Sequence, residues 1–134
     1  SMRHLTLDKF SKWLDEYGRA GRENDARASS ELFSPDARYY ESPDDNPMIG
    51  RDAIYRYWRR AAQTFSDRTS TYEVLALRDN FGIARWQSDF VVVPTGLRAS
   101  LDCIFLVEFD QQGKCSVFRE WWHWRNLTPG PQQP

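Results

Sequence analysis

The sequence has no surplus of either charge, almost no cysteine and no long apolar run, and each shortage removes a class of function. Eighteen lysines and arginines stand against nineteen aspartates and glutamates in 134 residues. That balance lacks the basic excess with which proteins neutralise a phosphate backbone, so nucleic acid is not an expected partner. The longest apolar stretches, such as Phe90 to Val93, fall far short of the roughly 20 residues a membrane helix needs, and no secretory pattern opens the chain. No membrane association is expected, and the compartment reads as cytoplasmic. Cys103 and Cys115 are the only cysteines. They sit in extended segments and make no metal-ligand spacing with His4 or His123, so they read as two reduced core thiols. Ser1-Met2 resembles an expression remnant.

What the chain does have is rings. Six Trp, six Tyr and eight Phe make 15% of the residues aromatic, more than so small a domain needs to fill a core with hydrocarbon. Aromatic side chains suit apolar pockets and subunit interfaces. The length suits one domain with one core, expected over residues 1–125, with residues 126–134 as a flexible Pro-rich tail.

Thr6 is placed to cap a first helix in which Phe10, Trp13, Leu14 and Tyr17 recur at helical spacing, with Gly18 and Gly21 ending it. Asn24 or Asp25 caps a second helix carrying Ala28, Leu32 and Phe33, stopped by Ser34-Pro35-Asp36. Ala37 to Glu41 reads as a short strand and Ser42 to Pro47 as a loop of breakers. Gly50-Arg51-Asp52 then leads into a third helix with Ile54, Tyr57, Trp58, Ala61 and Phe65 on one face. From Thr69 the period becomes that of extended chain. Four strands are expected, Thr69 to Leu77, Ile83 to Val93, Leu97 to Phe109 and Lys114 to Trp124, joined by short turns into an antiparallel meander. The fold class is α+β: three helices packed on a strongly curved, mostly antiparallel sheet that encloses a pocket, giving a cone.

This order of elements resembles the nuclear transport factor 2-like superfamily, in particular its SnoaL-like branch. The strings LFSPDARYYESP, GRDAIYRYW and GKCSVFREWWH carry the resemblance, which spans about Leu7 to Trp124. It implies polyketide cyclase, isomerase, dehydratase or epoxide hydrolase relatives, and also non-catalytic binding or dimerisation modules, so fold alone does not decide function. Compared with limonene epoxide hydrolases, Tyr39 and Glu41 fall where that family positions water, Pro94-Thr95-Gly96 also matches, and Glu120 falls on its basic Asp. Trp86 and Ser88, however, stand where that family has its Arg and Asp, and the epoxide-opening acid is missing. Compared with ketosteroid isomerases, Tyr17 falls on the oxyanion-hole Tyr and Glu41 on the proton-shuttling Asp. The third member of that site corresponds to Phe105, and Asp102 takes its place only if a bulge shifts the strand.

Alternation puts Ala84, Trp86, Ser88, Phe90 and Val92 on one face of their strand. The resemblance puts Phe118, Glu120, Trp122 and Trp124 inside as well. Glu120 is then a carboxylate among rings, which must be paired, hydrogen-bonded or protonated. If Glu41 and Glu120 share the cavity, repulsion and desolvation raise at least one pKa and create an acid and a base in one site. The expected catalytic set is Glu41, Glu120, Tyr17, Tyr39 and Asp102; the expected binding walls are Trp58, Trp86, Ser88, Phe105, Phe118 and Trp122. The chemistry implied is proton transfer to or from a small, mostly apolar, oxygenated molecule, with no metal and no organic cofactor. Plainer readings stand beside it. In these, Glu120 pairs with Arg85 or Arg119, Glu41 is solvated beside Pro43, Tyr17 only closes the core, and Asp102 faces outward. Arg119, Trp121 and His123 fall on the outer face, where a homodimer contact is expected.

Overall fold

The computed structural model describes residues 4–127. Helix α1 (Leu7–Arg22) starts at Thr6, whose side chain accepts the Lys9 N–H. It buries Phe10, Trp13, Leu14 and Tyr17, the stripe set by their spacing. The helix does not end at its glycines. Both lie within it, facing the sheet: a Cβ on Gly18 would sit 3.0 Å from Ser70 Oγ and 3.1 Å from a ring carbon of Trp86. They serve close approach, and the chain turns only at Asn24, with φ 55°.

Helix α2 (Ala26–Glu31) is capped by Asp25, which accepts the Ala28 N–H. It is shorter than its apolar pattern suggests, because Phe33 is already in strand β1 (Phe33–Tyr40), completely buried and paired with Cys115. Sheet pairing and ring burial overrule the helical pattern there. Pro35 is tolerated because the β1 register shifts between Phe33 and Arg38. A two-residue strand, β2 (Met48–Ile49), follows the loop and pairs with β1, an element the breaker-rich sequence hides. Gly50, at φ 95°, leads into α3 (Arg51–Thr64). Arg51 ties that helix to β1 through two hydrogen bonds to the Phe33 carbonyl, of 2.9 and 2.6 Å.

The meander is formed by β3 (Phe65–Arg78), β4 (Phe81–Val92), β5 (Leu97–Phe109) and β6 (Cys115–Asn126). Strand β3 leaves α3 without a loop, four residues before Thr69. The open sheet has the order β2-β1-β6-β5-β4-β3, antiparallel except for β1 beside β6. The three helices cover one face and the α+β cone is observed. Leu127 N–H bonds to the Arg98 carbonyl; the rest of the expected tail lies outside the described residues. Among the described residues no helix is long and apolar enough to cross a membrane.

At the narrow end Phe10 packs edge-on against Phe109 with centroids 6.0 Å apart. A Cβ on Gly82 would come within 2.5 Å of the Phe10 ring. Because Phe10 is fully buried and cannot swing away, Gly82→Ala is expected to destabilise the fold by about 1–3 kcal/mol. Urea denaturation with an unchanged midpoint would contradict this packing.

Candidate active site

Between α1, α3 and the concave face of the sheet lies a cavity of about 100 Å³. It adjoins a wider vestibule of about 600 Å³. Tyr39, Tyr57, Ala61, Phe65, Leu101 and Glu120 border both spaces. Together these are dimensions suited to a small organic molecule.

Glu120 comes from β6 and is 8% exposed. Tyr39, fully buried on β1, donates its hydroxyl proton to Glu120 Oε1 at 3.4 Å, and the hydroxyls of Tyr17 and Tyr39 lie 3.2 Å apart. With Tyr39 donating to Glu120, Tyr17 is left to donate to Tyr39, so the chain runs inward to outward as Tyr17, Tyr39, Glu120. Burial holds both tyrosines well above their ordinary pKa, and they remain donors. Cys103, opposite Trp122 on β5 and so diagonal to Glu120 across the β5–β6 pairing, also bonds to its carboxylate.

Desolvation, reinforced by the negative charge of Glu41, pushes the Glu120 pKa up to about 8; the bonds from Tyr39 and Cys103 act against that rise and do not cancel it. At neutral pH the group is therefore mostly a neutral acid. Glu41 stands just beyond β1, exposed, and borders the vestibule only. Its carbonyl accepts the Trp122 indole N–H at 3.1 Å, and its carboxylate takes the Tyr57 hydroxyl. The two carboxyl groups thus differ in setting, one in a buried wall and one at the exposed mouth.

The remaining expected residues divide. Tyr17, Trp58, Trp86, Ser88 and Phe105 line the inner cavity. Phe118 does not: it is completely buried behind Tyr39, with centroids 4.6 Å apart, and belongs to the core beneath the wall. Trp122 is half exposed and borders only the vestibule, because β6 runs out past the helices there. Asp102 is a correction. Strands β4 and β5 pair without a shift from Leu97 to Glu108, so alternation keeps Asp102 on the outer face. There it takes Arg85 in a two-pronged bond, 3.0 and 2.6 Å. That pairing also uses up Arg85 as a partner for Glu120. Arg119 lies over the Tyr40 ring at 4.0 Å, and Trp121 and His123 are exposed on the outer side.

Sequence reasoning missed Arg68, Tyr57, Ser70, Leu101 and Cys103, all of which line the cavity. Arg68 escapes the alternation because the expected strand begins only at Thr69, whereas β3 begins at Phe65. Reading the inward set Val74, Tyr72, Ser70 back by one more step reaches it.

A family profile for the SnoaL-like domain matches residues 13–118. No curated protein matches the sequence. Among solved structures, SalBIII, an epoxide hydrolase/cyclase-like enzyme described in pyran ring formation in the polyether salinomycin, superposes with a TM-score of 0.78 at 18% identity, covering 90% of this chain and 97% of its own. A candidate isomerase from Bacillus subtilis gives 0.76 at 24% identity, covering 87% and 88%.

A carboxyl whose pKa rises from 4.5 in the unfolded chain to about 8 in the fold adds nothing unfavourable below pH 4.5, and costs stability progressively as pH climbs from there through 8. Glu120→Gln removes that cost. Relative to wild type, the variant is expected to gain several kcal/mol of stability between pH 5 and 9, measured by urea denaturation across pH. A difference that does not vary with pH would show that Glu120 ionises normally.

Proposed function

Since the chain belongs to the SnoaL-like domain family, we propose that its pocket is the active site of a cofactor-free acid/base enzyme that isomerises or cyclises a small, mostly apolar, oxygenated molecule. One observation carries this reading. Glu120 is a carboxyl in a dry aromatic wall, at the boundary between cavity and vestibule, with a pKa pushed to about 8. A group so poised gives a proton to a ligand oxygen at neutral pH, and Tyr39 and Cys103 hold the carboxylate that results. The carboxylate then takes a proton from another atom of the same ligand. No electron is gained or lost, and no water is consumed.

Aromatic walls from Trp58, Trp86 and Phe105 exclude water from that exchange. The fold relatives with cyclase-like and isomerase descriptions fit this proton-transfer class. Epoxide hydrolysis is less well supported, because Trp86 and Ser88 supply neither the acid nor the ion pair of that chemistry. A purely structural module fits less well too, since its own tryptophans would fill the pocket, and here about 100 Å³ remains open behind a larger vestibule.

The base function of Glu120 is testable without knowing the natural substrate. 5-Nitrobenzisoxazole, a small apolar ring opened by removal of one proton, gives a coloured product. Its opening is expected to accelerate in the presence of the protein, with a rate that rises with pH to a midpoint near the Glu120 value of about 8, and to fall by about a hundredfold in Glu120→Gln. An equal rate in the variant would refute the assignment.

A further inference from the structure

The inner end of the cavity holds a cation that no acid among the described residues pairs with. Arg68 lines it, and among the described residues Arg68 forms no ion pair. Its Nη2 is buried without a hydrogen-bond partner, and so is Nε1 of Trp58 on the same cavity. Buried polar groups are normally satisfied, and two orphan donors in one small space are an unusual concentration. The guanidinium does lie over rings, 5.7 Å from the Trp58 centroid and 5.8 Å from that of Phe65. Ring faces attract the charge but accept none of its N–H hydrogen bonds in the plane of the fork, and Nη2 stays without an acceptor.

The backbone is arranged to place it there. Between Ser66, opposite Val91, and Thr69, opposite Asp89, the β3 register slips, so Asp67 and Arg68 together face Phe90. Asp67 adopts φ 48°, a left-handed conformation that an aspartate tolerates but does not prefer. The extra residue lets both Phe65 and Arg68 line the cavity, although three positions apart they would point to opposite faces of a regular strand. Opposite, α1 gives up a side chain: a Cβ on Gly21 would be 3.2 Å from Arg68 Nη1. Ser70 and Ser88, cross-strand neighbours, add two hydroxyls to the same walls. Glu120 is not the missing partner, for no ion pair joins it to Arg68.

What this end lacks is acceptor oxygen with negative charge. A carboxylate supplies two coplanar acceptors that match a guanidinium fork, and it is small enough for the inner space. We propose that the ligand is an apolar carboxylic acid, its carboxylate held by Arg68 with the Trp58 indole and the serine hydroxyls, and its body extending past Glu120 into the vestibule. This deepens the reading of the pocket as a ligand site and does not require Glu120 to be catalytic.

Benzoate and its neutral analogue benzamide are the probes, titrated against the intact protein while following the Trp58 indole N–H signal by NMR, assigned with Trp58→Phe. Benzoate is expected to shift that signal saturably and to bind about tenfold more tightly than benzamide. Arg68→Met should abolish the preference and fold at least as stably as wild type, because it removes an unpaired buried charge; Arg68→Lys should retain part of the preference. Equal binding of the two probes, no saturable shift with benzoate, a preference that survives in Arg68→Met, or a large drop in melting temperature in that variant would each overturn the proposal. Glu120→Gln separates the two readings. It should keep the benzoate preference while losing the elimination chemistry, whereas loss of the preference with that chemistry intact defeats this proposal alone.

Discussion

A single carboxyl group held among rings sets the terms for the rest of the molecule. Glu120 occupies an inward position of β6, two residues beyond the completely buried Phe118, where it borders both the cavity and the vestibule. Ionising it there is costly, so the group keeps its proton and takes hydrogen bonds from Tyr39 and Cys103. Tyr39 is itself held by stacking on Phe118 and by the Tyr17 hydroxyl. Packing and proton affinity are thus one arrangement: the rings that stabilise the cone are also the medium that raises the pKa.

The hollow exists because the fold withholds side chains where other proteins would fill the core. Gly18 and Gly21 lie inside a helix, where each costs about 1 kcal/mol relative to alanine, and both border the cavity. The slip in β3 likewise gives up a regular ladder so that Phe65 faces the cavity together with Arg68. Such departures from the locally preferred structure gather around one space, as is common where a site must be kept open. The site is polarised in consequence, with a cation and orphan donors at the inner end, an acid at the boundary, and exposed Glu41 at the mouth.

Much of this was legible in the sequence. The periodicity of Phe10, Trp13, Leu14 and Tyr17 marked α1, and the bounds of β5 were read without error because glycine turns flank it and its pairing runs almost without interruption. Alternation placed Trp86 and Ser88 on the cavity. What failed had specific causes. Phe33 fitted a helical pattern but was claimed by the sheet, through a parallel pairing with Cys115 more than eighty residues away that no local rule registers. Gly18 and Gly21 looked like stops because close approach to β3 is a tertiary fact. Arg68 was hidden by a helix that passes into a strand without a loop. Phe118 and Trp122 share a face with Glu120, but alternation does not tell how deep each lies along the cone.

The protonation of Glu120 at neutral pH is the claim on which the account stands. It is read most directly from the infrared C=O stretch of a protonated carboxylic acid, taken as the difference between wild type and Glu120→Gln and identified by its shift on carbon-13 labelling of glutamate. The account predicts a band present at pH 7 that disappears with a midpoint near 8. A band that is already gone at pH 6 would contradict it.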